Sequence, residues 1–322
     1  MSICNFFDLH CDTACEIEKN KKNLFENDLQ ISLYNSKGIK KYVQTFAFWI
    51  DDCYNNNEAY QNFLKQYDYL NNQMQKYSEH ICKYNLDNEP KKNTEINFFS
   101  KTKKFQDNKC NVIFSIEGGR VLGGKIENIS RIKAKGISLL TLVWNGDNEL
   151  GSGIRGSDNP LSDFGKQCVT ELENQNIIVD VSHLNKKGFY DVCEKATKPF
   201  VATHSNASEI FLHKRNLDDD QLKQIIDRKG LVGINFYPQF INGKTDCNFQ
   251  EILRHIDHIL VKGGENILAI GSDFDGAPMP FDINNINKIP NFYQAVMESF
   301  GKNLAEKIFF YNAIDFFENY YK

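Results

Sequence analysis

Three of the chain's seven histidines each stand within two residues of the end of a short apolar run, and carboxylates hold similar places. His10 and Asp12 form an H-x-D pair in DLHCD, and Glu117 closes NVIFSIE just before Gly118-Gly119. His183 follows VDVS, His204 follows VAT, and Asp273 sits in GSDFDG. Imidazole and carboxylate oxygen are normal donors to a divalent cation such as zinc. Alternate residues of an extended strand share a face, so His10 and Asp12 can address one ion. Glu117 then reads as a carboxylate bridging to a second ion, held by His183 and His204. Each signal is weak alone. Asp12 could simply cap the next segment, Glu117 could make a loop salt bridge, and a histidine after a strand is more often a hydrogen-bonded core residue. Asp273 reads either as a turn residue or as the acid/base that handles the proton of a cation-activated water. Arg215, in HKRN, suits bidentate recognition of a carboxylate, against the bland reading of a solvated loop charge. His80, His255 and His258 fall in helical segments and read as structural or surface residues.

These side chains need a scaffold that gathers strand ends. Eight apolar, β-branched or aromatic runs occur at residues 3–10, 42–49, 111–117, 136–144, 176–182, 198–203, 230–236 and 267–273. Near-continuous apolar runs of this length suit parallel strands covered on their outer face. Amphipathic helical patterns intervene at 163–175, 217–229 and 249–262. Strand–helix alternation in 322 residues predicts an α/β fold, a single-domain (β/α)8 barrel of TIM type, with a doubly wound open sheet as the alternative. Active sites of such barrels lie at the C-terminal ends of the strands, where all these residues fall. Asp273, on the last run, is expected across the barrel from the first ligands. Residues 51–109 form a helical insertion, with an aromatic stripe from Tyr60 to Met74 at helical spacing and a polar half, 85–109, expected as loop or hairpin.

Composition excludes several classes. A net charge of −4 carries no basic footprint for nucleic acid. No apolar run reaches the length of a bilayer span, so no membrane partner is expected. The opening MSICNFFDLHCD lacks a basic stretch followed by an apolar core, so no secretory leader is expected. Nine cysteines without a C-x-x-C pair fit a reducing, cytoplasmic compartment. Cys11 and Cys15, close to the proposed site, are expected to be spectators.

Taken together and in order, DLHCDT, SIEGG, DVSHLN, THSNA, RNLDD, NFY and GSDFDG resemble the membrane dipeptidase family of metallopeptidases, over residues 8–276, and the tail 301–317 resembles its closing helix. The resemblance implies a zinc-dependent dipeptidase. His10, Asp12 and Glu117 are implied to bind one ion and Glu117, His183 and His204 the other. Asp273 is the implied acid/base, and Arg215 the implied partner of the substrate's terminal carboxylate. The implied substrate is a small dipeptide, including ones with a D-residue at the C-terminus, and a homodimer is compatible with the family. One departure stands out. Where family members carry a histidine that contacts the substrate carbonyl, TLVWNGDN places Trp144. Tryptophan donates one N–H bond but is never cationic, leaving Asn145, Asn148 or the metals to replace it. Trp144, Asn145 and Tyr237 complete the expected substrate contacts. His/carboxylate sites also accept manganese or cobalt. A deacylase, lactonase or phosphoesterase on the same barrel is the functional alternative.

Overall fold

The computed structural model describes residues 4–84, 86 and 105–322. Eight parallel strands close into a barrel: β1 (Cys4–Cys11), β2 (Ile39–Trp49), β4 (Cys110–Glu117), β5 (Ile137–Thr141), β6 (Ile178–Asp180), β7 (Val201–Ala202), β8 (Leu231–Ile234) and β9 (Leu268–Ile270). A short additional strand, β3 (Ile81–Lys83), pairs with the first residues of β4. The order around the ring is β2-β1-β9-β8-β7-β6-β5-β4, and a β2–β4 pairing closes it. This is the (β/α)8 barrel expected from the alternation, and the open-sheet alternative is excluded by closure.

One inward side chain or more from every barrel strand meets at the centre: Phe7 and Leu9, Val43, Ile113, Leu139, Ile178, Val201, Leu231 and Ala269. Phe310, Ala313, Phe316 and Phe317, from the last turns of the chain, pack against them at the end where β9 begins. The apolar plug leaves only the opposite, C-terminal rim open for polar chemistry. A second, larger layer of apolar residues fills the space between strands and helices.

The helices follow the expected pattern with short caps. Asp163–Asn174 is capped by Ser162, whose hydroxyl accepts the Gly165 N–H. Asp219–Asp227 and Phe249–Val261 each begin with a reciprocal capping box, Asp218 with Gln221 and Asn248 with Glu251. In 51–109 the aromatic stripe forms the helix Asn56–Lys76, with Phe63 and Leu70 buried. β3 was not anticipated: three residues are too few for periodicity to register. Most of 85–109, and Ile3, lie outside the described residues. Several strands are shorter than their apolar runs. β5 stops at Thr141 and β6 at Asp180, so Trp144 and His183 sit on ordered turns beyond the strands.

Candidate metal centre

His10 and Asp12 do face the same point, but simple alternation does not bring them there. The β1–β2 register slips between Asp8 and Cys11, where three residues of β1 match two of β2. Such a bulge reverses which face the following side chains take. Asp8 sits on the outer face and holds the bulge. Its carboxylate accepts the N–H of His10 (3.3 Å), the N–H and hydroxyl of Ser272 (2.8 and 2.6 Å), and the amide of Gln44 (3.0 Å). Burial raises the Asp8 carboxyl to about 6 against these bonds. Cys11 turns outward into the apolar layer, while Cys15 lines the cavity above the site. Burial is the main cause holding the Cys15 thiol up at about 12.

The cluster centres on Glu117. His10 Nε2 lies 3.4 Å from Asp12 Oδ2 and 3.6 Å from Glu117 Oε2. The other oxygen, Oε1, faces His183 Nε2 at 2.7 Å and His204 Nε2 at 3.5 Å. Glu117 thus presents one oxygen to each group of donors. Asp273 Oδ1 stands 3.9 Å from His10 Nε2. The expectation that Asp273 faces the first ligands from across the barrel is corrected: closure makes β9 the neighbour of β1, and Asp273 N–H donates to the His10 carbonyl. Its Oδ2 accepts from Asn235 Nδ2 at 2.9 Å. A Cβ at Gly276 would lie 2.0 Å from Asp12 Oδ2 and 2.6 Å from Asp273 Oδ1, so only glycine leaves these carboxylates room.

The electrostatics ask for a cation. Burial opposes charging His10, yet Glu117, Asp12 and Asp273 outweigh it and push the imidazole up to about 10. Glu117 is driven well above the usual carboxylate range by burial, with His10 pulling the other way and Asp12 and Asp273 adding to the rise. His183 and His204 are held well below the usual imidazole range, chiefly by burial, and are therefore neutral, as ligands must be. His183 Nδ1 meets the Asn145 side-chain oxygen at 3.0 Å and donates to it, which leaves a lone pair on Nε2. That nitrogen is only 2.9 Å from His204 Nε2. His10 Nε2 and Asp12 Oδ1 are buried without a hydrogen bond. Two ligands about 2.1 Å from a tetrahedral ion stand about 3.4 Å apart, close to the observed spacings around His10. The donor set fits divalent cations.

A cavity of about 500 Å³ opens above this cluster, lined among others by Trp49, Trp144, Ile154, Arg155, Tyr237 and Phe240. Trp49 and Trp144 meet edge to face at 4.9 Å, and Trp144 lies 6.5 Å from the His183 ring. Tyr237 packs on Phe240. Arg215 is buried beside the cavity rather than on its wall. Its two terminal nitrogens donate to Ser205 Oγ (3.3 Å) and the His204 carbonyl (3.0 Å), and Nε is buried without a hydrogen bond. Of the other histidines, His255 is fully buried, His258 pairs with Asp219 at 2.7 Å, and His80 packs on Phe25. The motif reading gave no role to the groups behind the cluster: Asp8, Asp180, Thr203 and Asn235. Asp8 and Asp180 did carry a signal, because each is a carboxylate inside an apolar run and has to find partners.

A closed parallel barrel with an imidazole–carboxylate cluster at its C-terminal rim defines the class, a metal-dependent hydrolase. A family model for membrane dipeptidases, peptidase family M19, matches residues 1–319, and the chain belongs to that family of metallopeptidases. It is 34% identical over 205 residues to an uncharacterised Klebsiella pneumoniae protein from the pqqA 5′ region, covering 60% of this chain and 76% of the relative. An uncharacterised dipeptidase of Schizosaccharomyces pombe is 27% identical over 302 residues, 87% of this chain and 70% of its own length. The fold superposes with a TM-score of 0.85, at 24% identity and 98% and 99% coverage, on a Rhodobacter sphaeroides metallopeptidase liganded with a phosphinate mimic of L-Ala-D-Ala. Among the described residues no helix is long and apolar enough to cross a membrane.

Proposed function

We propose that this protein is a dipeptidase that holds two divalent ions, zinc foremost, and hydrolyses the peptide bond of dipeptides, including those ending in a D-residue. The observation that carries this reading is the two-sided use of Glu117, with His10 on one oxygen and His183 and His204 on the other. His10, Asp12 and Glu117 would hold one ion and Glu117, His183 and His204 the other. When bound, such ions polarise a carbonyl oxygen and make water a nucleophile at neutral pH. The dipeptide mimic held by the Rhodobacter sphaeroides enzyme supports the substrate class.

The chain's own groups supply the rest. Asp273, its carboxyl raised above the ordinary aspartate value chiefly by burial, is the group placed to take a proton and release it to the departing amine nitrogen. Asn235 fixes its Oδ2 and leaves Oδ1 facing the cluster. Trp144 and Tyr237 wall the site and exclude water, while Asn145, turned toward His183, orients that imidazole as well as lining the cavity. Arg215, beside the cavity, has no protein acceptor for its Nε–H, and this is the donor that would serve the substrate carboxylate. The barrel acts as one hydrolase unit in which 51–109 is an insertion, in a cytoplasmic setting, and a homodimer is compatible with the family.

The test is metal content together with turnover. About two zinc per chain and cleavage of Gly- or Ala-containing dipeptides are expected, whereas a metal-free protein inactive after zinc addition sinks the reading. Arg215→Ala should raise KM for free dipeptides by about ten-fold or more while barely changing KM for their C-terminal amides. Equal effects on both would favour a deacylase, lactonase or phosphoesterase.

A further inference from the structure

Beneath the cluster, in the floor of the barrel, lies a carboxylate that the catalytic reading leaves unused. Asp180 follows Ile178 by two residues on β6 and shares its inward face. It is 1% exposed. A carboxylate in such a place is costly unless fully hydrogen-bonded, and this one is. Oδ1 accepts the N–H groups of Ser182 and Thr203, both at 3.0 Å. Oδ2 accepts the hydroxyls of Thr141 and Thr203, both at 2.6 Å.

The Thr203 hydroxyl has a single proton, and the short bond to Asp180 takes it. Toward its other neighbours Thr203 Oγ1 can therefore only accept. Those neighbours are Ser182 Oγ at 3.3 Å and His204 Nδ1 at 2.8 Å. Ser182 Oγ itself accepts the His204 backbone N–H, so its own proton is free for Thr203. The proton between Thr203 and His204 must then sit on Nδ1, and the neutral ring carries its lone pair on Nε2, the atom that faces Glu117 and His183. Gly271 leaves room for the Thr203 backbone, since a Cβ there would lie 1.7 Å from the Thr203 carbonyl oxygen.

We propose that Asp180 is a positioning residue which, through the Thr203 hydroxyl, fixes the Nδ1–H tautomer of His204 and so keeps Nε2 available to a divalent cation. The device is a carboxylate–hydroxyl–imidazole chain in place of the direct carboxylate–imidazole contact that commonly orients a ligating histidine. It rests on the metal reading of the site given above. Thr141 supplies an internal control: its hydroxyl bonds the same oxygen at the same distance without touching His204.

The experiment has two arms. In metal-stripped wild type with 15N-labelled histidine, long-range 1H–15N correlation should report His204 as the Nδ1–H tautomer. Zinc dissociation constants from competition with a chelating dye should then separate the variants. Thr203→Val is expected to weaken one of the two ions by about 10–100-fold, while Thr203→Ser and Thr141→Val stay within about three-fold of wild type. An Nε2–H tautomer, or a Thr203→Val protein no weaker than Thr141→Val, overturns the role of Asp180 and Thr203. A wild type that takes up no divalent ion overturns instead the reading on which the proposal stands. The tautomer measurement needs no variant, so it decides even if Thr203→Val fails to fold.

Discussion

Asp12 occupies the N-cap position of the helix Thr13–Asn20, where aspartate usually accepts a backbone N–H, yet its side chain makes no capping bond. One oxygen points to His10 and the other is buried without a hydrogen bond. Capping was the bland reading of this residue, and it forgoes that role in favour of the cluster. His183, Asp273 and Asp275 show a related cost, with φ of 66°, 64° and 67° in the left-handed region. His, Asp and Asn tolerate that region better than other side chains, and strain of this kind gathers at functional sites. Asparagine can therefore replace Asp273 without disturbing the turn. Asp273→Asn should retain two ions and lose turnover by about 10²-fold or more, the usual worth of a positioned acid/base. Metal analysis beside kcat decides the role: an ion lost along with activity makes Asp273 a ligand, which its placement 3.9 Å from His10 Nε2 also permits.

At the scale of elements, the bulge in β1 shows where sequence reading succeeds and where it stops. The apolar runs located all eight barrel strands, and the candidate ligands could be assigned to their ends because active sites of parallel barrels lie at the C-terminal rim. The phase of β1 was not legible, since a bulge leaves the residue pattern unchanged and is visible only in the register with β2. The place of Asp273 was misjudged for a similar reason: order along the chain suggests distance, and ring closure makes first and last neighbours. Asp180 and Thr203 lie inside apolar runs rather than just beyond them, where their polar partners leave no mark on the pattern, although a carboxylate in an apolar strand was itself a clue. Asp8 holds the bulge through four donors and no acceptor. Asp8→Asn sets an amide N–H against one of them, a cost of about 1–3 kcal/mol for an unsatisfied buried group, but also removes a buried charge, so the metal-free protein should lose at most that much stability. Zinc should also bind more weakly, because His10 loses its support. Denaturant melts with and without zinc test both effects, and unchanged zinc affinity would separate the bulge from the site.

Across the whole molecule, resistance to acid depends on buried groups that pull in opposite directions. His255 joins three segments: its Nδ1 accepts the Ala207 N–H at 3.2 Å and its Nε2–H donates to the Ile241 carbonyl at 2.9 Å, from the helix Phe249–Val261. The bond from Ala207 requires the neutral ring, because a protonated Nδ1 cannot accept, and burial holds its pKa down at about 4, against an ordinary 6.5. Between those values the unfolded chain binds the proton more readily than the folded one. The stabilisation is therefore complete above about 6.5 and is lost as pH falls toward 4. Asp8 and Asp275, each raised by burial to about 6, act with the other sign, favouring the fold at low pH and costing more as pH rises from 3.8. A single pH profile mixes these contributions, so the informative quantity is the difference between wild type and His255→Gln, measured on metal-free protein by urea unfolding at a series of pH values. At neutral pH the variant should be less stable, having lost a fitted pair of hydrogen bonds. As pH drops through the window the gap should close by up to about 1.4 kcal/mol per pH unit, the limit for one proton. A gap that stays constant across the window would mean that the imidazole titrates alike in both states, and that acid unfolding of this barrel is governed elsewhere.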